Sequence, residues 1–423
     1  MTEPAAMDAP PPLSVAVLSS ASGGGAGIAA RRLAEALTAR PGMQADFIDI
    51  AGLGEALPQE VAPHESYSAR TLSDTHFTLE YPGFHRGWLV GMLAGYDLVN
   101  VHWASHLVAL GELHALACAG RPILFWLHDF HYITGGCHYP AGCEGYLRDC
   151  RGCPQLDTAR ASPLTVARNL AVKRAIFARP NVHLAAPSRF LRDAAVAAGI
   201  VPDGRAHLLR NAYRPLGPVP ARQEGARAQR RVLLIADSLD EGRKNMAGAL
   251  QALELAAAAR PGRLVVDIVG RGTDALRRDL AALSFPNLLH GRITDHAALS
   301  TLLAQADVLL SCSREDNWPN ILVEAGSYGV PAVVGPGHGC AEFVRHYGFG
   351  RIAPDYAPDS FARALLMLLE GGPEESGPAA RHRAATAIRA DHAPERVAAD
   401  VAALLDSLCG RGAPRPEREA AGG

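Results

Sequence analysis

The segment SCSREDNWPNILVEAGSYGVPAVVG, residues 311–335, decides the predicted fold. The apolar run VLLSCS that enters it predicts a buried strand, SREDNW is the loop at its carboxyl end, and the following residues predict a helix over 320–328. Pro319 suits the first turn of that helix, where its missing N–H costs nothing. PAVVG then predicts another strand. The segment is therefore typical of a strand–helix–strand unit in a parallel sheet.

Two acids, Asp316 and Glu324, lie on either side of the start of this helix. The free N–H groups near Asn320 and Ile321, together with the helix dipole, form a seat for an anion such as a diphosphate. Glu324 is a turn further on, where a carboxylate accepts from two vicinal ribose hydroxyls in dinucleotide sites. Asp316 is placed to accept from the hydroxyls of a sugar. The alternative is a capped helix with solvated acids.

The alternation of strand, turn and helix continues outward from this segment and predicts two α/β domains, each a doubly wound, Rossmann-like sheet. A Pro- and charge-rich stretch separates them as a linker. Ligands of open α/β sheets bind at the carboxyl ends of the strands, so we expect the site in the cleft between the domains. The predicted boundaries are a disordered tail 1–12, an acceptor-side domain 13–212, a linker 213–230, a donor-binding domain 231–390, a closing helix 391–410 and a disordered tail 411–423.

Composition excludes several classes of function. The chain has 423 residues, 48% of them hydrophobic, and a formal net charge of −2. Two cores are expected at this length, and no global field favours nucleic acid or an anionic bilayer. No run of about 18 apolar residues predicts a spanning helix, and the first residues do not resemble a secretory signal. We therefore expect a cytoplasmic protein that does not bind nucleic acid.

The motif resembles that of the retaining, family 4-type glycosyltransferases with GT-B architecture, the glycosyl transferases group 1. Asp316 and Glu324 match the acid-x7-acid segment of that family, and GVPAVV of Gly329–Val334 matches the strand start that follows it. The first acid is commonly Glu in the family, and Asp316 is shorter by one methylene. The resemblance implies two Rossmann-like domains facing each other across a cleft and a nucleotide-diphosphate sugar as donor, with no cofactor required. Because the chain has no D-x-D triplet, no catalytic divalent ion is expected.

Two further motifs supply candidate donor contacts. DSLDEGRKN (237–245) leaves the first strand of the second domain, and the resemblance assigns Arg243 and Lys244 to the diphosphate. Many members carry the Arg earlier, where this chain has Asp237 and Ser238. The second motif, SSASGGGAG, includes Gly24 and Gly25 in a loop that lets backbone approach a ligand, before a helix predicted from Ile28 to Ala39. A solvated basic turn and a tight turn are the respective alternatives.

His128 ends a predicted strand of the first domain in FWLHDFHY. The resemblance places a His-Asp pair there whose His approaches the transferred sugar, with Asp129 as its orienting neighbour. His128, Asp316 and Lys244 are thus the catalytic candidates, and a structural role is the alternative for His128. His102 is a weaker candidate on the acceptor side.

A Cys-rich insert, 135–156, follows His128 directly and is expected to fold over the acceptor side. Four thiolates suit a closed, tetrahedral structural Zn²⁺, although the C-x5-C spacing of the first pair is loose. Disulfides or free thiols are the alternatives. The four candidate ligands are Cys137, Cys143, Cys150 and Cys153.

The acceptor is expected to be a glycan, a lipid-linked glycan or a small molecule. A basic helix predicted over 165–179 suggests peripheral contact with anionic lipid at the inner membrane surface, or simply a solvated face. Its cationic residues are Arg168, Lys173, Arg174 and Arg179. Four alternatives to a retaining transferase stay open at this point: an inverting transferase, a GT-B epimerase, a glycoside hydrolase and an inert sugar-nucleotide-binding subunit.

Overall fold

The computed structural model describes residues 11–56, 66–70, 75–80, 87–159, 161–220, 228–371 and 377–410. Apart from residues 11 and 12, the predicted tails 1–12 and 411–423 lie outside the described residues, as do residues 221–227 of the predicted linker.

The first half of the chain forms a parallel sheet covered by helices on both faces. Its described strands are β1 (Leu13–Ser19), β2 (Met43–Asp49), β3 (Ser66–Arg70), β4 (His76–Glu80), β5 (Leu98–Val101), β6 (Ile123–Trp126), β7 (Val182–Ala186) and β8 (Ala206–Leu208). Six of them are parallel, in the order β2-β1-β5-β6-β7-β8, and β3 and β4 form a separate antiparallel pair. The described helices of this half are α1 (Gly24–Thr38), α2 (Trp88–Met92), α3 (Leu110–Cys118), α4 (Pro163–Phe177) and α5 (Arg189–Ala197).

The second half repeats this architecture. Its described strands are β9 (Arg230–Ser238), β10 (Leu264–Arg271), β11 (Asn287–Gly291), β12 (Val308–Ser311), β13 (Ala332–Val334) and β14 (Gly350–Ile352). All six are parallel, in the order β11-β10-β9-β12-β13-β14. The described helices are α6 (Met246–Ala259), α7 (Asp274–Ala281), α8 (His296–Gln305), α9 (Asn320–Ser327), α10 (His338–Tyr347), α11 (Pro358–Glu370), α12 (Pro378–His392) and α13 (Pro394–Leu408). The predicted α/β class, with two doubly wound Rossmann-like sheets, is confirmed.

Each sheet is buried on both faces because its strands are continuous apolar runs. In the first sheet, one face packs against helices α3, α4 and α5, and the other against α1 and α13. In the second sheet, one face packs against α6, α7 and α11, and the other against α8, α9, α10 and α12. The switch in strand order lies between β1 and β5 in one sheet and between β9 and β12 in the other, where ligands of such sheets bind.

The last helix crosses back to the first half of the molecule. Val401 and Leu405 of α13 are buried in one cluster with Leu33 and Leu37 of α1. A second contact between the halves comes from α10, where Glu342 accepts hydrogen bonds from the N–H groups at the start of α5 at 2.9 Å. Within the part of the chain that the structure describes, no helix combines the length and apolar character needed to cross a bilayer.

The Gly-rich stretch after β1 differs from its prediction. Helix α1 begins at Gly24, four residues before the predicted start at Ile28. Gly24 has a φ of +71°, a conformation that side chains disfavour, and Gly25 is in the first turn. A Cβ on Gly27 would lie 2.2 Å from the carbonyl oxygen of Ala21. The glycines therefore form a tight turn into a helix rather than a loop ahead of it.

Candidate active site

A cavity of about 1150 Å³ lies between the carboxyl ends of the two sheets. The first half contributes the glycines after β1 and the arginines of α1 to its lining, and the second half contributes the ends of β9, β10 and β11. Six of its lining residues are Gly24, Gly25, Arg32, Gly270, Arg292 and Glu324. Three of the predicted donor contacts, Gly24, Gly25 and Glu324, therefore line one shared space. The lining does not include the other four: Arg243, Lys244, Asn320 and Ile321.

Asp316 is held by the two predicted phosphate-binding cations. Its Oδ2 is 2.6 Å from Lys244 Nζ and 3.3 Å from Arg243 Nη1. Burial alone would raise the pKa of Asp316, but Lys244 and Arg243 outweigh it and hold that pKa below its ordinary value. The site thus contains an ionised carboxylate between two cations, one of which, Arg243, also pairs with Glu241.

Arg243 is held by more protein groups than Lys244. Its Nε donates to Glu241 Oε1 at 2.7 Å, its Nη1 donates to the carbonyl oxygen of Glu315 at 3.1 Å, and its guanidinium lies 4.0 Å from the centre of the Tyr139 ring. These contacts fix the guanidinium before any ligand arrives. Lys244 is therefore the freer of the two cations, and Arg243 is well placed to orient Asp316.

The start of α9 faces the glycines of α1 across the cleft. Asn320 Nδ2 donates to the carbonyl oxygen of Gly25 at 3.5 Å, and Asn320 Oδ1 accepts from Asn211 Nδ2 at 3.0 Å. Pro319 caps this helix in an extended conformation, so the N–H groups of the first turn, including that of Ile321, have no side-chain cap. An anion at this position would meet backbone N–H groups from a helix start, as predicted.

Glu324 is paired with an arginine that the sequence did not single out. Its Oε1 is 3.6 Å from Arg32 Nη1, and the Arg32 guanidinium also lies 5.0 Å from the centre of the Tyr213 ring. Burial raises the pKa of Glu324, and Arg32 opposes that shift. No motif identifies Arg32. It lies two turns along α1, and it reaches Glu324 only because the two sheets face each other.

His128 follows β6 at the carboxyl end of the first sheet. Asn317, next to Asp316, donates to the carbonyl oxygen of His128 at 3.1 Å and so joins the two predicted sugar-side residues. Asp129 does not orient the His128 ring as expected: its oxygens accept from the N–H of His131 and pair with the ring of His138. The ring that contacts His128 is that of His102, with Nδ1 2.9 Å from His128 Nε2.

The Cys-rich insert contacts the donor side of the cleft. Tyr139 stacks against Arg243, and the N–H of Ala141 donates to Glu315 Oε1 at 2.8 Å. Ala141 has a φ of +50°, so this turn is strained for an alanine and is held by the contact. The insert therefore reaches across the cleft to the loop that carries Asp316.

The structure gives no support to the zinc hypothesis. Among the described residues, no three His, Cys, Asp or Glu side chains are arranged to hold a metal ion, and every cysteine is a free thiol. The sulfurs accept instead from backbone N–H groups of nearby turns, such as that of Gly145 at 3.3 Å. Disulfides are not formed among the described cysteines, and the zinc role of these residues stays a prediction. The four cysteines of the insert are Cys137, Cys143, Cys150 and Cys153.

The basic helix also differs from its prediction. It ends at Phe177, so Arg179 lies beyond it, and Arg174 donates to the carbonyl oxygens of Tyr146 and Ala198. Lys173 in α4 is fully buried, and its Nζ donates to the carbonyl oxygens of His131 and Thr134 at 2.6 and 3.0 Å. A buried ammonium needs such acceptors, which here come from the loop after His128. Lys173 therefore fixes that loop and cannot contact a lipid surface.

The second half of the chain matches a known family. Residues 230–371, which hold β9 to α11, match the model of the glycosyl transferases group 1. WcaC of Escherichia coli K12, a protein named as a colanic acid biosynthesis glycosyl transferase, is 28% identical over 221 residues. That alignment covers 50% of this chain and 51% of WcaC, so the chain spans about half the length of the curated relative it matches.

Solved structures match the whole fold at low identity. HepE from Anabaena, solved in complex with UDP, has a TM-score of 0.63 at 15% identity and covers 93% of this chain and 100% of its own. Sucrose-phosphate synthase from Thermosynechococcus elongatus gives 0.62 at 17%, covering 95% of this chain and 100% of its own. WaaG, a glycosyltransferase of lipopolysaccharide biosynthesis, gives 0.56 at 15%, covering 94% and 100%. The chain therefore shares the GT-B fold of these structures, and residues 230–371 match the model of the glycosyl transferases group 1.

Proposed function

We propose that this chain transfers a sugar from a nucleotide-diphosphate sugar to an acceptor hydroxyl, with retention of anomeric configuration and without a catalytic divalent ion. The observation that carries the proposal is the arrangement around Asp316. Two cations and an ionised carboxylate lie together just ahead of an uncapped helix start, and the same helix carries Glu324, which lines the cavity between the sheets. Glu324 lies on the wall of that cavity, where the ribose of a bound nucleotide would be held.

The comparisons favour the same donor class. HepE, which shares the fold, has been solved with UDP and with UDP-glucose. WcaC and WaaG are named for colanic acid and lipopolysaccharide biosynthesis, which suggests a glycan or glycolipid acceptor for this chain. A uridine nucleotide is therefore the first donor to test.

In the proposed reaction the protein positions groups and stabilises charge. The bond between the anomeric carbon and the diphosphate oxygen breaks, while the acceptor oxygen bonds to that carbon on the same face. The acceptor proton passes to the leaving phosphate oxygen. Lys244, with Arg243 and the N–H groups at Asn320 and Ile321, stabilises the diphosphate charge. Asp316 and His128 hold the transferred sugar.

Lys244→Ala and Glu324→Ala test these roles. Each should lower the rate of sugar transfer at least about 100-fold, because the first removes charge stabilisation at the diphosphate and the second removes the ribose contact. Donor turnover by coupled release of the nucleoside diphosphate is the measurement. Glu370→Ala, which removes an exposed ion pair with Arg260, is the control and should keep wild-type activity. Full activity in both site variants, with unchanged thermal unfolding, would refute the assignment.

The same assay separates the alternatives. The anomeric configuration of the product, measured by NMR, distinguishes retention from inversion. Activity that survives EDTA supports metal independence, and loss that is restored by Mg²⁺ contradicts it. Donor binding with neither transfer nor slow donor hydrolysis would indicate an inert binding subunit. Interconversion of the donor sugar without an acceptor would indicate an epimerase.

A further inference from the structure

A buried row of polar groups leads across the first sheet to the ring of His128. Asn100 Nδ2 donates to the carbonyl oxygen of Leu124 at 2.8 Å. Asn100 Oδ1 is 2.8 Å from His102 Nε2, and His102 Nδ1 is 2.9 Å from His128 Nε2. The row thus runs from a main-chain carbonyl to a residue that we assign to the sugar.

The direction of every hydrogen bond in this row follows from the carbonyl oxygen of Leu124 at its start. A carbonyl oxygen can only accept, so the Asn100 amide must turn its N–H to Leu124 and its oxygen to His102. His102 must then donate from Nε2, which leaves a lone pair on Nδ1. That lone pair accepts from His128, so the proton of the His128 ring is on Nε2. The other nitrogen of His128, Nδ1, is left as an acceptor.

Packing and burial keep the row in this state. The His102 ring is stacked on Trp126 with centroids 5.3 Å apart and planes 7° apart, and Trp126 Nε1 donates to Asn211 at 3.1 Å. Burial lowers the pKa of His128 to about 4 and that of His102 well below its ordinary value, so neither ring is charged near neutral pH. A neutral ring has one donor and one acceptor nitrogen, as this order of hydrogen bonds requires.

We propose that His102 is a positioning residue that holds His128 in the tautomer whose Nδ1 accepts a hydrogen bond from a hydroxyl of the transferred sugar. This inference rests on the proposed function, and it adds a preference among donors. A hydroxyl can donate to Nδ1, whereas an ionised carboxylate at the same position of the sugar has no proton to give. The site therefore selects a neutral hydroxylated sugar over one that carries a carboxylate there.

The tautomer can be measured without any ligand. In protein labelled with ¹⁵N at its 17 histidines, two-bond ¹H–¹⁵N correlation spectra distinguish a protonated ring nitrogen from an unprotonated one. Comparison with His128→Asn assigns the His128 signals. We expect Nε2 protonated and Nδ1 unprotonated in the wild type, and a mixture of both tautomers in His102→Phe, which keeps an aromatic ring against Trp126. A wild-type signal with the proton on Nδ1 would overturn the proposal.

Activity provides the second readout. We expect kcat/KM for transfer in His102→Phe to fall about tenfold, the effect of losing one oriented hydrogen bond. His183→Phe is the matched control, because His183 and His207 form a similar stacked pair, with nitrogens 3.1 Å apart, elsewhere in the same sheet. Wild-type kcat/KM in His102→Phe despite mixed tautomers would refute the positioning role. A wild type with no transfer at all would instead contradict the proposed function and leave the NMR result to decide the tautomer.

Discussion

At the scale of single residues, the contact between Arg32 and Glu324 controls a charge in the cleft. Glu324 is largely buried, and burial of a carboxylate favours its neutral form. A neutral carboxyl group is a weaker acceptor for ribose hydroxyls than a carboxylate is. The Arg32 guanidinium at 3.6 Å opposes this effect. Arg32 therefore favours the ionised form of Glu324, although it comes from the opposite half of the molecule.

Replacing Arg32 with Met should make nucleotide binding depend on pH. Without the guanidinium the pKa of Glu324 rises further, so at pH 6 we expect the Kd for UDP to increase about tenfold, equivalent to ~1.4 kcal/mol. Raising the pH ionises Glu324 again, and most of the affinity should return by pH 9. Titration calorimetry across this range is the measurement. Arg31→Met, at an exposed neighbour that also lines the cavity, is the control, and equal behaviour of the two variants would contradict the prediction.

At the scale of elements, the start of α10 sets the position of the loop that carries Asp316. The N–H of Gly339 donates to the carbonyl oxygen of Asp316 at 2.9 Å. A Cβ on Gly339 would lie 1.7 Å from the carbonyl oxygen of Asn317, so the helix and the loop are in direct backbone contact. Asn317 in turn donates to His128. The helix thus fixes the position of Asp316 relative to His128, the two predicted sugar-side residues.

Gly339→Ala should therefore lower activity by shifting the backbone of the loop that carries Asp316. The added methyl must displace the loop, and we expect a loss of about 2 kcal/mol in the free energy of unfolding together with at least about 100-fold slower transfer. Urea unfolding and the transfer assay measure the two effects. Gly91→Ala, also within a helix, is the control because a Cβ there meets nothing within 4 Å. A Gly339→Ala enzyme with wild-type kcat would show that transfer does not depend on this position of the Asp316 loop.

The sequence predicted most elements because buried strands and amphipathic helices leave a clear period. The sequence did not predict elements whose hydrophobic period is weak, or contacts that form only between elements distant in sequence. Helix α12 (Pro378–His392) is rich in alanine and arginine, and the sequence analysis does not predict it. The antiparallel pairing of β3 with β4 is not predicted either. The burial of Lys173 and the pairing of Arg32 with Glu324 depend on loops and on the facing sheet. No local pattern encodes such contacts.

At the scale of the whole molecule, the chain passes between the two halves twice, and both crossings meet at His392. The N–H of Tyr213, on the outward crossing, donates to the carbonyl oxygen of His392 at 2.8 Å. The His392 ring is fully buried, and its Nδ1 donates to the carbonyl oxygen of Asn211 at 2.7 Å. Burial lowers the pKa of His392 to about 4. This histidine is therefore neutral in the folded protein and joins the two connections.

Acid should weaken the molecule at this junction. A histidine whose folded pKa is below its unfolded value of about 6.5 binds more protons when unfolded, so its contribution is complete above pH 6.5 and is lost as the pH falls towards 4. For His392 the expected loss between pH 7 and pH 5 is about 2 kcal/mol. His392→Gln should reduce the pH dependence of urea unfolding by this amount, whereas His382→Gln, at an exposed position of the same helix, should not. Parallel pH profiles for wild type and His392→Gln would mean that the junction opens before the ring is protonated.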